Sequence, residues 1–312
     1  MYEIERNYMK SIGTIRRGAP YPASMTIKFI PAAILALALS SAALAQESEH
    51  FWSKTYPLSG KPTLVFETGD AGVDIHACSN CREIRIHVEV EGKKLSDYRL
   101  EESQAGDLVH FKLRAREHVG FYIAPHHSHM QVTVETPSQL TLQARTSDGN
   151  VAVTSLDGEL ELTTGDGTVA LDHLSGNLHL KSGDGHVRIT DASGAVEART
   201  SDGSLAVDGI FRVLTLHSSD ASMDVNLRPG TKLTEASSIE ASDGPVTLHV
   251  PKDFAADLDV RTSDGHVDCA LPLTMNGYHS SGDGYKLRGK LNGGGTPFSI
   301  HTSDGSVKIE QI

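Results

Sequence analysis

Apolar and polar residues alternate in a fixed rhythm through the middle of the chain. Between positions 149 and 225 an apolar residue recurs every nine positions, and a second one follows each of these two positions later. The first row is Val151, Leu160, Val169, Leu178, Val187, Val196, Leu205, Leu214 and Met223, and the second is Val153, Leu162, Leu171, Leu180, Ile189, Ala198, Val207, Leu216 and Val225. Two apolar residues around one variable residue form the period-two pattern of a short β-strand with one buried face. The pattern therefore predicts a strand in every nine-residue step.

Turn sequences separate these predicted strands, and they are of two kinds. The first is Thr-Ser-Asp-Gly, intact at 146–149, 200–203, 262–265 and 302–305 and varied at 164–167, 182–185, 218–221, 241–244 and 281–284. The second, such as Leu156-Asp157-Gly158, lies midway between copies of the first, so that like turns recur at 18 residues in this part of the chain. A repeat at such a step is typical of architectures that bury their core by stacking neighbouring units.

The two turn types predict an all-β, β-solenoid-like fold with two short strands in each 18-residue coil. Equivalent residues of successive coils would then stack about 4.8 Å apart. An antiparallel meander is the alternative, because Asp-Gly is also a strong hairpin signal. A meander, however, gives no reason for two turn types to alternate so strictly. The strict alternation favours the solenoid.

The repeat divides the chain into three regions. Residues 146–312 form the predicted solenoid, with looser spacing towards the C-terminus. Residues 46–145 lack the strict repeat but contain further alternating segments, so we expect an N-terminal cap of antiparallel strands there. Within this cap, 68–72 resembles a degenerate first copy of the turn. Residues 1–45 are interpreted as an upstream extension plus a signal peptide.

The predicted signal peptide covers residues 25–45. It begins at Met25, continues through Lys28 into an apolar stretch, and ends in the small-residue sequence Ala43-Leu44-Ala45. This order is typical of secretory signal peptides. The apolar stretch is shorter than the roughly 20 residues that a membrane span needs. We therefore expect an exported mature chain from Gln46 onwards, either periplasmic or extracellular and at the cell surface, without a membrane span.

Charge and composition narrow the classes of partner. The formal net charge is −12 at pH 7, and aromatic residues make up only 5% of the chain. An acidic protein is repelled by nucleic acid and by anionic membrane surfaces, so neither is an expected partner. The low aromatic content suits a core of stacked aliphatic rows. An envelope protein or a glycan remains as the expected partner class.

The repeat as a whole resembles a known family. An opening Gly69-Asp70-Ala71-Gly72-Val73 is followed by reiterated Thr-Ser-Asp-Gly turns between aliphatic strands over roughly 60–312. This order is similar to the putative-adhesin family of exported bacterial repeat proteins, a domain family of unknown function with repetitive β-structure. The resemblance implies a β-repeat fold and an adhesin-like binding role. The family has no agreed catalytic residues to carry over.

The turns place one aspartate in each coil, and stacked carboxylates repel one another unless something compensates them. One hypothesis is a row of divalent cations held by Asp148, Asp166, Asp184 and Asp202, because Ca²⁺ binds carboxylate and carbonyl oxygens. The alternative is local turn chemistry, in which Asp bonds its own turn and Gly supplies a positive φ. Turn hydroxyls could share those bonds. Basic residues just upstream, Arg145, Lys181, Arg199 and Arg261, could neutralise the row.

Two cysteines form a second candidate feature. Cys78 and Cys81 lie between two predicted strands, and in an exported protein this spacing predicts a small disulfide that clips a hairpin. A zinc half-site is the alternative. Cys269 lies at an apolar-row position and is interpreted as a core residue.

Histidines supply the last candidate ligands. His126, His127 and His129 fall within four residues, and neutral imidazoles are good ligands for Zn²⁺. An exposed loop without metal is the alternative. No cofactor is expected otherwise, with Ca²⁺ and Zn²⁺ as the candidates if one is bound.

Motifs of catalysis are missing from the sequence. It contains no Gly-x-Ser-x-Gly elbow, phosphate loop, dinucleotide fingerprint or His-Glu-x-x-His. The leading hypothesis is a non-enzymatic binding or structural module of the bacterial cell envelope. One alternative is a carbohydrate-active enzyme on a solenoid, which requires a cleft with two carboxylates. The other alternative is a metal-dependent binding module.

Overall fold

A computed structural model of the protein describes residues 45–116, 129–281 and 284–312. Residues Ala42–Ile312 form one compact unit. The described residues form 24 strands and one short 3₁₀-helix, Leu95–Asp97. The strands are β1 (Gln46–Glu47), β2 (Phe51–Pro57), β3 (Thr63–Thr68), β4 (Gly72–Ala77), β5 (Glu83–Glu91), β6 (Tyr98–Ala105), β7 (Leu108–Ala115), β8 (His129–Thr136), β9 (Gln139–Arg145), β10 (Val151–Thr154), β11 (Asp157–Thr163), β12 (Val169–Asp172), β13 (Ser175–Lys181), β14 (His186–Thr200), β15 (Ser204–Ser218), β16 (Ser222–Leu227), β17 (Ser237–Ala241), β18 (Val246–Val250), β19 (Ala256–Thr262), β20 (Val267–Cys269), β21 (Thr274–Ser281), β22 (Gly284–Leu291), β23 (Pro297–Thr302) and β24 (Val307–Gln311).

The central strands pair in parallel, which confirms the solenoid and excludes the meander. Val151 on β10 lies beside Val169 on β12, and Leu160 on β11 lies beside Leu178 on β13. Each partner is 18 residues further along the chain, so like strands stack on like strands. Each of the two apolar rows predicted from the sequence therefore divides between the two kinds of strand, which gives four ladders of buried side chains.

The strands form two faces that enclose the core. Face one contains, in order, β1, β2, β5, β8, β4, β10, β12, the first half of β14, the first half of β15, β16, β18, β24 and β20. Face two contains, in order, β6, β7, β3, β9, β11, β13, the second half of β14, the second half of β15, β17, β23, β19, β22 and β21. Since β14 and β15 run without a break round one corner, the two faces are one continuous hydrogen-bonded sheet.

The core lies between the faces and is mainly aliphatic. Larger rings fill its two ends: Phe66 and Phe111 stack near the N-terminal end, and Phe254 meets Phe298 edge to face near the other. Leu178 and its neighbours in the central coils are almost fully buried. Each such side chain contributes roughly 1.5–3 kcal/mol by leaving water. The fold is therefore stabilised by many small, equivalent contributions along the stack.

The order of coils in space departs from the order in sequence at both ends. Strands β3 and β4 lie between β7 and β8 on one side and β9 and β10 on the other. Near the C-terminus, β23 and β24 lie between β17 and β18 on one side and β19 and β20 on the other. The stack also continues across residue 146, since β9 pairs with β11 and β4 pairs with β10.

Antiparallel strands and short edges finish the two ends of the stack. At the N-terminal end, β2 and β5 are antiparallel on face one, and β6 and β7 are antiparallel on face two. Side chains join the edges of the two faces, since Gln104 donates a 2.7 Å hydrogen bond to the Pro57 carbonyl. At the other end, the edge strand β20 is only three residues long. Short or side-chain-protected edges limit pairing with other chains.

One further finding concerns helices. No helix among the residues that the structure describes is long and apolar enough to cross a membrane.

Candidate functional site

The Thr-Ser-Asp-Gly turns form one corner of the stack, where the chain passes from face two to face one. We call this the aspartate corner. In stacking order it consists of 68–72, 146–149, 164–167, 182–185, 200–203, 218–221, 241–244, 302–305 and 262–265. The copy at 281–284 is different, because Ser281 and Gly284 face each other across the antiparallel hairpin of β21 and β22. Asp283 itself lies outside the described residues.

The glycines of this corner are required by close backbone approach. A Cβ on Gly167 would lie 2.2 Å from the carbonyl oxygen of Gly149, and a Cβ on Gly185 would lie 2.0 Å from that of Gly167. Among the glycines of this corner that the structure describes, only Gly203 has a left-handed φ, at 91°. The expectation that glycine supplies a positive φ is therefore wrong for most of them. At Gly167 and Gly185, the stacking of one coil on the next leaves no room for a side chain.

Hydroxyl groups line the inside of the corner and make its turn bonds. Thr200 is 5% exposed, and its Oγ1 donates a 2.9 Å hydrogen bond to the Gly183 carbonyl in the preceding coil. Ser218 Oγ likewise donates a hydrogen bond to the carbonyl of Ser201 in the preceding coil, and it accepts one from the backbone N–H of Ala221. Buried hydroxyls need such partners. The hydroxyls, more than the aspartates, connect the turns of neighbouring coils.

The aspartates of the corner are exposed and lack counter-charges. Across the described ranges no ion pair joins any of them, and the side chain of Asp166 accepts only a long hydrogen bond, 3.4 Å, from the backbone N–H of Asp184. Burial and the neighbouring carboxylates of Asp184 and Asp220 raise the pKa of Asp202. The smaller, coulombic part of that shift is the expected consequence of stacking one carboxylate on the next.

The upstream basic residues do not neutralise the row, contrary to expectation. Arg199 pairs with Glu197 at 3.0 Å, and Arg261 pairs with Asp259 at 2.6 Å. Arg145 lies 4.0 Å from Glu161. Each of these side chains points outward from a strand of face two, whereas the aspartate three residues later lies on the turn. The strand geometry therefore directs the basic groups to other carboxylates.

The candidate metal ligands are not brought together as a set. Asp148, Asp166, Asp184 and Asp202 each occupy a separate coil of the corner. His129 is exposed at the start of β8, in register with Glu91, while His126 and His127 lie outside the described residues. Among the described residues, no group of three or more His, Cys, Asp or Glu side chains could hold a metal ion.

Two of the three cysteines are bonded to each other, and the third is free. Cys78 and Cys81 form a disulfide across the turn between β4 and β5, with their Cα atoms 5.8 Å apart. Cys269 is a free, half-buried thiol on β20. Burial raises the pKa of the Cys269 thiol, so it stays protonated at neutral pH.

The opposite corner carries an ionic network that motif searching does not reveal. His173 Nδ1 lies 2.8 Å from Asp172, and its Nε2 lies 3.0 Å from Asp191 in the next coil. Arg228 pairs with both Asp191 and Asp208. The carboxylate of Asp172, followed by that of Asp191, raises the pKa of His173. The 18-residue spacing between His173 and Asp191 is the sequence signal that could have indicated this contact.

The N-terminal end of face two carries a shallow groove of about 380 Å³. Three strands line it: Val65 and Glu67 from β3, Glu101, Glu102 and Ser103 from β6, and His110, Phe111 and Lys112 from β7. These residues come from the region without strict repeats, and only the pairing of β3, β7 and β6 places them side by side. The groove was therefore not predicted from the sequence.

Every carboxylate of this groove is paired with a basic side chain. Glu67 lies 2.9 Å from Lys112 and 3.1 Å from Arg114, and Lys112 in particular lowers the pKa of Glu67. Glu102 lies 2.6 Å from Lys54 and accepts a hydrogen bond from the Tyr56 hydroxyl.

Glu101, the third carboxylate, pairs with Arg99. A general acid of sugar cleavage needs a carboxyl group whose pKa is raised. For Glu67 the ion pairs lower the pKa, which is the opposite of that requirement.

The fold and these sites define a β-solenoid repeat protein with two strands in each coil. The Toastrack DUF4097 family matches residues 63–310, and the chain belongs to this family. The match covers the whole stack apart from β1, β2 and the last residues. No curated protein matches the chain at a significant level.

Several solved structures are similar to the chain at low sequence identity. A putative adhesin from Parabacteroides merdae is 12% identical, with 84% of this chain and 96% of that one covered and a TM-score of 0.46. A putative adhesin from Bacteroides fragilis is 12% identical, with 85% and 98% covered and a TM-score of 0.35. A putative lipid binding protein from Parabacteroides distasonis is 12% identical, with 84% and 97% covered and a TM-score of 0.34.

Proposed function

We propose that the protein is a non-enzymatic binding module of the bacterial cell envelope. Its partner would be an envelope protein or a glycan that contacts the groove at the N-terminal end of face two. The observation that carries the proposal is that all three groove carboxylates are paired with basic side chains. Paired charges of both signs favour specific polar recognition and give no group that is held ready to donate a proton.

The binding proposal is tested with a pair of double variants. In the first, Glu67→Ala with Lys112→Ala removes one ion pair of the groove without changing the net charge. In the control, Lys308→Ala with Glu310→Ala removes an exposed ion pair from β24 on face one. Both proteins are compared with the wild type by biolayer interferometry against a panel of envelope glycans and purified envelope proteins.

We expect the groove variant to lose binding to one member of the panel and the control to keep it. Equal binding by both variants would contradict the assignment to the groove. A reducing-end assay on the same glycans addresses the alternative. Release of new reducing ends that is lost in Glu102→Gln would support a carbohydrate-active enzyme instead.

Export is part of the same proposal. The predicted signal peptide, residues 25–45, lies outside the described residues apart from Ala45. N-terminal sequencing of the protein from a bacterial envelope fraction should begin at Gln46. Recovery of the uncleaved chain from the cytoplasm would contradict an envelope function.

A further inference from the structure

The last coil of the chain is an interior coil of the stack. Strand β23 pairs in parallel with β17 on one side and β19 on the other. Strand β24 pairs in the same way with β18 and β20. The segment 297–311 therefore fills a slot between two coils that precede it in sequence. We call this gap the C-terminal slot, bounded by 237–250 and 256–269.

The side chains of this coil belong to the deepest part of the core. Phe298 and Val307 are each 1% exposed, and Ile300 and Ile309 are fully buried. Both neighbours of the slot would present unpaired backbone groups and uncovered apolar side chains if the coil were absent. An open strand edge binds any strand of matching pattern. The slot is therefore an acceptor for one strand pair, occupied by the chain's own C-terminus.

A short, glycine-rich linker carries the coil into the slot. Residues 292–296 connect β22, which lies on one side of β19, with β23 on its other side. Asn292, Gly293 and Gly294 all have left-handed φ values, 49°, 89° and 85°.

Side-chain hydrogen bonds hold this linker against the rest of the stack. The Asn292 Nδ2 donates 2.8 Å hydrogen bonds to the carbonyls of Lys252 and Phe254. The linker must turn sharply, and short strained hinges favour exchange between copies.

We propose that the C-terminal slot accepts the C-terminal coil of a second copy of this chain, which gives a strand-exchanged dimer. The C-terminal slot cannot be filled until residues 297–311 have been synthesised. Both of its strand edges are therefore unpaired while the rest of the chain folds. The incoming segment of a second copy is identical, so it offers the same register, Ile300 beside Ile239 and Ile309 beside Leu248. It therefore restores every contact of the coil except those of the linker.

A linker deletion tests the exchange in the full chain. Removal of Gly293–Gly295 makes the crossing of β19 too short for the coil to enter its own slot. We expect this variant to be a dimer by light scattering, with the circular dichroism spectrum of the wild type. A folded monomer with the wild-type melting temperature would overturn the proposal.

A mixed cross-linking experiment decides the question even if the linker deletion fails to fold. Two full-length proteins with the natural linker are refolded together, one with Ser238→Cys and the other with Ser299→Cys, both in a Cys269→Ser background. Ser238 and Ser299 are direct neighbours in register on β17 and β23. Exchange brings the two new thiols of different chains together, so a short bis-maleimide should join them into a covalent heterodimer.

The matched control uses Ser238→Cys mixed with Thr215→Cys. Positions 215 and 238 are also register neighbours, on β15 and β17, but neither belongs to the exchanged coil. Exchange therefore does not bring position 215 of one chain next to position 238 of the other. We expect a cross-linked heterodimer only in the first mixture, with a yield that rises with protein concentration during refolding. No cross-link in the first mixture, or equal cross-linking in both, would overturn the proposal.

Discussion

At the scale of single residues, the aspartate corner shows that the neighbouring residues of one turn motif have different structural roles. The hydroxyl makes the hydrogen bonds between coils, the glycine permits the close approach of two backbones, and the aspartate is left exposed. The motif recurs because the first two roles recur in most coils of the corner. Ala71 and Ala221 occupy two of the glycine positions and are fully buried, so the stack accepts a methyl group at those coils.

Glycine at the corner is tested by Gly167→Ala. The new Cβ would lie 2.2 Å from the Gly149 carbonyl oxygen, so the coils must shift apart. We expect a loss of about 1–3 kcal/mol in the free energy of unfolding, the usual effect of overpacking. The measurement is urea unfolding followed by circular dichroism. Gly69→Ala is the control, because nothing lies within 4 Å of its Cβ position, and equal effects at both sites would refute the explanation.

The hydroxyl row is tested by the pair Thr200→Val and Thr68→Val. Both side chains are buried, but Thr200 donates to the Gly183 carbonyl, while the hydroxyl of Thr68 has no hydrogen-bond partner among the described residues. We expect Thr200→Val to lower the free energy of unfolding by about 0.5–1.5 kcal/mol, the net worth of one hydrogen bond. Thr68→Val should be neutral or stabilising. This prediction would be contradicted if chemical denaturation showed the same loss in the free energy of unfolding for both variants.

At the scale of elements, the strands of the last coil behave as core strands although they end the chain. A terminal segment usually frays, but β24 is bonded on both sides. Its inward and outward residues alternate as in the central coils, with Val307 and Ile309 buried and Lys308 exposed. Position in the stack, and not position in the sequence, decides how much a residue contributes to stability.

This view predicts the effect of Ile309→Ala. The side chain is fully buried, so its truncation should cost about 2–5 kcal/mol, as in any well-packed core. Thermal and urea unfolding both report this loss. Lys308→Ala is the neighbouring control and should change stability little, because Lys308 is an exposed partner of Glu310. A cost below about 1 kcal/mol for Ile309→Ala would mean that the last coil frays.

At the scale of the whole molecule, stability should depend on pH in a defined way. Asp172 raises the pKa of His173 above its ordinary 6.5, so that group stabilises the fold at lower pH and the effect is lost as pH rises through the folded pKa. Arg261, followed by Arg288, lowers the pKa of Asp259 from 3.8 to about 2, so that group stabilises the fold above pH 3.8, and the effect is lost progressively as pH falls through the folded pKa of about 2. Stability should therefore be greatest between these limits, in mild acid.

Melting temperatures measured from pH 3 to pH 9 check this prediction. His173→Gln should reduce the rise in melting temperature between pH 8 and pH 6, because it removes the cation between Asp172 and Asp191. His301→Gln is the control, since His301 is exposed on β23 and no ion pair joins it among the described residues. High salt should flatten the profile by screening exposed charges. A profile that His173→Gln leaves unchanged would show that this pair does not contribute.

Chelation is the whole-molecule test of the metal hypothesis. The aspartate corner carries one carboxylate per coil, so we expect a cation between two coils to reach at most two of them. We therefore expect the melting temperature to be the same in EDTA and in added Ca²⁺ or Zn²⁺. A ligand at about 100 times its Kd adds about 2.7 kcal/mol, so a bound ion would be detected. A loss in EDTA that one ion reverses would establish the metal-dependent alternative.

The repeated sequence by itself determined the strands, their 18-residue register and the family. Each coil meets only its neighbours, so a periodic apolar pattern is enough to specify the stack. Tertiary structure alone decided the order of the end coils, because the strand that pairs with β17 comes from far along the chain and no local pattern marks it. It also decided where the basic side chains point and which strands line the groove. Those features depend on contacts between segments that are distant in sequence. The periodic pattern contains information only about each repeat and its nearest neighbours.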